Sequence, residues 1–188
     1  PLVLAYPMPR SHYLLGRFLG LAVLLALALA LFGALLAGLG WLGGLGYEQG
    51  TPVRLGAALG AVLAGIWLQL LVVGAFAWLV TSLSTTPLLS FVLGLGFAWA
   101  GRSLGPVLDY LRTSPTADER TLQGPFRPVL EGLYWLLPDL SRLDWRPLVL
   151  YGQGPGGEAL VAGAGTALGY TALLLGLAVW AFQGRELA

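Results

Sequence analysis

The side chains able to do chemistry are few, and they gather in two places. One is the opening stretch, where Arg10, His12 and Arg17 stand close together around Tyr13. The other is the region from Pro106 to Glu158, which holds the carboxylates Asp109, Asp118, Glu119, Glu131, Asp139, Asp144 and Glu158. His12 is the only histidine and cysteine is absent. Neither a two-histidine metal site, nor thiolate catalysis, nor a disulfide can therefore be built. The ten basic residues are all arginine, so the chain cannot supply the lysine of a phosphate-binding P-loop. An intramembrane serine protease needs a serine and a base within the bilayer, and no such pair stands in the apolar runs. The carboxylates read as solvated charges rather than as a glycosidase pair, and none lies within a span to relay protons. These residues point to a chain that performs no catalysis and carries no metal or cofactor.

The elements that position them are membrane helices. The chain is 57% hydrophobic and only 10% charged, with a mean hydropathy of +0.78. A soluble fold of 188 residues has too little interior for that much apolar surface, so the bilayer must be its solvent. A net charge of +1 suggests neither nucleic acid nor an acidic partner. The expected fold is all-α, a polytopic transmembrane bundle of four spans forming one domain over residues 1–188. Span A covers about Phe18 to Gly44, span B about Leu55 to Leu79, span C about Leu88 to Gly105 and span D about Ala159 to Phe182. Residues 1–17 precede the spans, 18–105 hold three of them, 106–158 connect, and 159–183 hold the last.

The loops carry their own signals. Gly46 to Pro52 is a turn by its glycines, proline and polar residues, and Ser82 to Pro87 ends span B. Arg102 lies near enough to the end of span C to snorkel into the headgroups. Within the connecting region, Pro128 to Leu137 reads as a helix too short to span, lying in the interface. Asp139 is placed to cap a following turn and to pair with Arg142. Trp135, Trp145 and Tyr151 are side chains expected at headgroup depth. Small residues recur at helical spacing as Gly56, Gly60 and Ala64, and as Gly165, Gly169, Ala172 and Gly176. In lipid such stripes mark helix contacts. Gln69, the one strongly polar side chain deep in span B, is expected to make an interhelical hydrogen bond.

Pro7 and Pro9 hold the entry to the first span extended. The basic run that follows fits a helix lying on the cytoplasmic interface, or a plain anchor for the span. Pro1 and the apolar Leu2 to Tyr6 have neither a basic leader nor a cleavage site, so they are not a signal peptide. They read as the end of an earlier element of a longer protein.

Three segments resemble one family. Tyr6-Pro-Met-Pro-Arg-Ser-His-Tyr-Leu-Leu-Gly-Arg-Phe-Leu-Gly20 is similar to the P-I-S-R-x-x-Y-L-L-G-K-x-x-G segment of ABC-2 type transporter permeases, closest to the copper-enzyme-maturation group. Leu133-Tyr-Trp-Leu-Leu-Pro-Asp-Leu-Ser-Arg-Leu-Asp144 resembles the stretch before that family's last span. Ala178-Val-Trp-Ala-Phe-Gln-Gly-Arg-Glu-Leu187 resembles its terminus. The resemblance implies six spans, of which spans A to D would be the third to sixth, so the chain would be the family's C-terminal part. It implies a separate ATP-binding ABC subunit docked on a cytoplasmic coupling segment, here Pro9, Arg10, His12, Tyr13, Gly16 and Arg17. It also implies a second permease copy, identical or not, which completes the translocation path in a bacterial plasma membrane. Gly16 would let the chain turn or pack closely where that segment meets span A. The partners expected are thus the ATPase, the second permease and membrane lipid, with no nucleic acid. A structural or assembly subunit of a larger membrane complex would show the same small-residue stripes and the same lack of chemistry.

The expected topology places Arg10, Arg17, Arg185 and the Ser82 to Thr86 loop in the cytoplasm, with the Tyr47 loop and Pro106 to Glu158 outside. Six arginines fall at or in that outer region. They are balanced there by seven acids, and positive-inside bias weakens as loops lengthen. Because the chain lacks cysteine, Asp118→Cys provides a unique label. It is expected to react with an impermeant thiol reagent from outside only, and labelling from the cytoplasmic side alone would overturn the assignment.

Overall fold

In lipid only a helix or a closed barrel satisfies its own backbone hydrogen bonds, and every long apolar run here has become a helix. The computed structural model describes residues 10–43, 56–84, 86–113, 132, 137–152, 154 and 156–183. In order these form α1 (Arg10–Gly43), α2 (Ala57–Leu83), α3 (Pro87–Thr113), a 3-10 helix (Leu140–Leu143), α4 (Arg146–Leu150) and α5 (Gly157–Gln183). No strand occurs among the described residues. Four helices are long and apolar enough to cross a membrane: Ser11–Gly43, Ala57–Leu83, Leu88–Val107 and Gly157–Gln183. The protein is an all-α integral membrane bundle.

Three boundaries differ from those read off the sequence. The basic opening segment and span A are one uninterrupted helix of 34 residues, with no turn at Gly16. A helix once nucleated propagates through a single exposed glycine at a cost of about 1 kcal/mol. Helix α2 continues past Leu79 to Leu83 before Ser84 ends it. There the Ser84 N–H donates to the Val80 carbonyl at 2.7 Å, and the Ser84 hydroxyl accepts from the Thr86 N–H at 3.1 Å. Thr86 precedes Pro87, which disfavours helix at the residue before it and favours it at its own position. Helix α3 then runs through Pro106, where span C was expected to stop. Proline there deprives the Arg102 carbonyl of its intrahelical donor, but leaves the following residues free to stay helical.

Helix α2 is the centre of the bundle and packs on α1, α3, α5 and the 3-10 helix. Val72 and Ala75 on it are fully buried, and the surrounding core takes Phe18 and Ala22 from α1, Phe97 from α3, Ala167 and Leu174 from α5, and Leu140, Leu143 and Trp145 from the connecting segment. Phe76 stacks on Phe97 with ring centroids 4.0 Å apart, and Phe18 meets Trp78 edge-on at 6.4 Å. The Trp67 indole N–H donates across the interface to the Ala22 carbonyl at 2.9 Å. Helix α1 buries Leu14, Phe18 and Ala22, one residue every four, whereas farther along Leu27, Leu31, Phe32 and Leu39 are exposed. An apolar groove of 740 Å³ opens between α1 and α5 and is floored by Trp67 and Leu71.

Residues 138–145 lie on the bundle because glycines let them approach. A Cβ at Gly65 of α2 would meet the Leu143 carbonyl at 2.7 Å and the Trp145 ring at 3.0 Å. On α3, a Cβ at Gly101 would meet the Pro138 carbonyl at 3.1 Å, and one at Gly105 the Asp139 carboxylate at 2.6 Å. Gly163 of α5 faces Leu143 and Trp145 from the other side. Trp145, expected at headgroup depth, is instead 5% exposed, because its ring fills the space that Gly65 leaves open. Tyr151 is exposed. Trp135 and nearly all of the expected Pro128 to Leu137 helix lie outside the described residues.

The small-residue stripes read from the sequence seat no neighbouring helix of this chain. Gly56, Gly60 and Ala64 are exposed, as are Gly165, Gly169, Ala172 and Gly176. A Cβ at any of these glycines would have nothing within 4 Å. The helix faces that do pack turn Val62, Gly65 and Leu68 of α2 and Ala167, Thr171 and Leu174 of α5 inward. Gly65→Ala is expected to lower the thermal unfolding midpoint in detergent, since overpacking a close contact costs about 1–3 kcal/mol. Gly165→Ala should leave the midpoint unchanged or raise it, because the substitution meets open space and favours the helix by about 1 kcal/mol.

Candidate functional site

The two ends of the bundle differ in how their charges are held. At the end where α1 begins, Tyr13, Leu14 and Arg17 line a cavity of 230 Å³ together with Trp78, Thr81 and Ser82 of α2 and Phe182 of α5. Arg17 and Tyr13 stand four residues apart, so they share a helix face. The guanidinium carbon lies 5.3 Å from the centre of the Tyr13 ring, within range of a cation–π contact. Thr81 and Ser82 turn their hydroxyls back to the helix, donating to the Ala77 and Leu79 carbonyls at 2.7 Å each. The cavity wall is therefore mostly apolar, with three aromatic rings and one guanidinium.

Of the residues read as a coupling segment, the structure brings Tyr13 and Arg17 together. His12 is exposed and outside the cavity. Gly16 is exposed, and a Cβ on it would have nothing within 4 Å. Arg10 opens α1, and Pro9 lies outside the described residues. Trp78 and Phe182 went unremarked in the sequence because each sits in a run of apolar neighbours. Only the shared end position of their helices, visible as the polar residues that stop spans B and D, hinted that they meet.

At the opposite end of α2 and α5, the connecting segment carries a chain of ionic contacts. Asp139 caps the 3-10 helix, accepting from the Ser141 N–H at 3.1 Å. It also pairs with Arg142 at 3.2 Å, as its spacing predicts. Trp145 donates its indole N–H to the Arg142 carbonyl at 3.0 Å. Gln69 reaches this segment rather than another span, donating to the Leu140 carbonyl at 3.3 Å. Asp144 takes a fork from Arg146, with Nε to Oδ1 at 2.6 Å and Nη2 to Oδ2 at 2.5 Å. Arg102 of α3 reaches the same Oδ2 at 3.5 Å. The fork with Arg146 holds the Asp144 carboxyl below its ordinary value of 3.8, against the opposing effect of partial burial.

No protein-family model matches the chain, and neither a curated protein nor a solved structure matches it.

The lowered carboxyl value sets the sign of a pH effect. A group whose value is depressed on folding contributes stability that is complete above the unfolded value and is lost as pH falls through the folded one. The difference in unfolding midpoint between the natural chain and Asp144→Asn is therefore expected to hold steady from pH 7 down to about 3.8 and to shrink below that. Thermal melts across an acid series measure it. A difference already lost at pH 5 would mean that the fork does not hold the Asp144 carboxyl below its ordinary value.

Proposed function

We propose that this chain is the transmembrane permease subunit of an ATP-driven ABC-2 type transporter, contributing to the translocation path and coupled to a separate ATPase subunit. The observation that carries the reading is the continuity of α1. Its 34 residues extend about 50 Å at 1.5 Å per residue, whereas the hydrocarbon core is only ~30 Å thick. The basic turns from Arg10 to Arg17 thus continue stiffly beyond the apolar span. A push on that polar end is transmitted along the whole helix, because an unbroken helix has no hinge to absorb it. This is the property required of a lever that converts nucleotide-driven closure in a partner into tilting of a span. The resemblance of residues 6–20, 133–144 and 178–187 to the permease family supports the same reading, as does the absence of a P-loop lysine. On this reading the chain itself performs no catalysis, pairs with a second permease in a bacterial plasma membrane, and leaves ATP hydrolysis to its partner.

One feature also suits a structural or assembly subunit. The exposed Gly165, Gly169, Ala172 and Gly176 stripe on α5 offers a smooth face to helices of another chain. The two readings separate on nucleotide dependence. The full-length protein is expected to co-purify with an ATP-binding protein encoded beside its gene, and more so with a non-hydrolysable nucleotide. Arg10→Glu should reduce that recovery by roughly tenfold, as reversing an interfacial charge does, while membrane insertion stays normal. Glu158→Arg, at the opposite end, should leave recovery unchanged. Normal ATPase binding and transport with Arg10→Glu would remove the opening of α1 from any coupling role.

A further inference from the structure

Helix α3 carries an arginine at the head of a bilayer-facing stripe. Leu88, Leu95, Trp99 and Arg102 follow one another at intervals of seven, four and three, so they lie along one helix face. All four are exposed, Trp99 to 75%. Arg102 stands five residues inside the end of the apolar window at Val107. That is about 7–8 Å along the axis, a depth from which an arginine reaches the headgroup layer.

A cation at such a place needs an anion, and Asp144 only partly supplies one. The fork from Arg146 occupies both carboxylate oxygens, and Arg102 touches the outer edge of Oδ2 at 3.5 Å. Among the described residues, two guanidiniums on one carboxylate leave one positive charge in surplus. Asp139 does not offset it, being engaged by Arg142. Both guanidiniums remain open to an incoming group, with the side chains of Arg102 and Arg146 50% and 52% exposed. Beside them is a crevice of 210 Å³ whose apolar wall is Val62, Ile66 and Leu70 of α2, backed by Trp145. Charge at the rim, an apolar wall, and a lipid-facing stripe leading away from it fit one chemistry, that of an amphipathic phosphate ester.

We propose that Arg102 and Arg146 hold the phosphate of an anionic phospholipid whose acyl chains lie along Leu95 and Trp99 of α3 and against Leu70 of α2. Guanidiniums suit this role because their planar donors match phosphate oxygens in pairs. A zwitterionic headgroup fits less well, because its ammonium adds a second positive charge beside the surplus one. The inference needs only a membrane-spanning α3 and stands apart from the transport reading.

The test is native mass spectrometry of the full chain released from nanodiscs containing equal phosphatidylglycerol and phosphatidylcholine. The natural chain is expected to retain phosphatidylglycerol over phosphatidylcholine by roughly fivefold, the scale of one exposed charge interaction. Arg102→Gln and Arg146→Gln should each abolish that preference, whereas Arg142→Gln, which removes an equal charge outside the crevice, should preserve it. Thermal melts of each variant identify any that fail to fold, and the headgroup preference of the natural chain decides the matter without them. No preference in the natural chain, a preference surviving in a folded Arg102→Gln, or an equal loss in Arg142→Gln each overturns the proposal. Displacement of the lipid by inorganic phosphate overturns the lipid assignment in favour of a soluble phosphate.

Discussion

The arrangement depends on how closely a polar, irregular segment can approach helices that have no side chain in the way. Residues 138–145 rest on Gly65, Gly101, Gly105 and Gly163, drawn from three different helices. In lipid there is no hydrophobic gain from bringing helices together, so close packing and hydrogen bonds must do it. The glycine contacts supply the first and the Gln69 amide supplies the second, through its bond to the Leu140 carbonyl. Once the segment is seated, Leu140, Leu143 and Trp145 become core residues that tie α2, α3 and α5 together. A methyl group at Gly65 or Gly105 would lift the segment, and with it the capping carboxylate of Asp139 and the fork on Asp144.

Helix α1 stands apart from that arrangement. It is attached through its first half by Leu14, Phe18, Ala22 and the Trp67 indole, and again at Gly33, which lies against Leu63 of α2, while most of its later apolar side chains face outward. Beyond Ala22 it therefore contributes little to the core except at Gly33. Its first attachment lies next to the polar turns, where Phe18 meets Trp78 edge-on. The apolar groove between α1 and α5 runs along α1 from Leu15 to Ala30, beginning on the attached half.

Hydropathy made the four spans legible, because an apolar run of that length has one stable form in lipid. It could not say which face of each run turns inward. With almost every position apolar, Gly60 and Gly65 look alike in sequence, and spacing favoured the regular stripe. The packing helix face instead turns on Gly65, selected by a tryptophan eighty residues away. Gly101 and Gly105 had the spacing of a close-contact pair, but they fell where span C was expected to end and the connecting region to begin. Local chemistry proved more readable. Asp139 caps its turn and pairs with Arg142 as the spacing requires, since such contacts depend on near neighbours alone. Trp145 illustrates the limit of a composition rule. Tryptophan is common at headgroup depth, but a ring that finds a glycine-lined recess and a carbonyl for its N–H is better placed inside.

The two ends of the bundle follow from these differences. Around the connecting segment, Asp139 and Asp144 each face an arginine from their own stretch of chain, and their hydrogen bonds reinforce the turn that carries them. Such charges are committed to structure, and among the described residues the added Arg102 leaves an imbalance. At the start of α1 the order is reversed. Arg17 lies over an aromatic ring, and among the described residues it has no carboxylate partner. A cation–π contact satisfies a guanidinium only weakly when exposed, by about 0.5–1 kcal/mol, so its charge stays available to whatever approaches that end. Among the described residues, the bundle thus holds mostly paired charge around its connecting segment and an unpaired guanidinium beside its most loosely held helix. The helix that buries least of itself is also the one that presents that unpaired guanidinium.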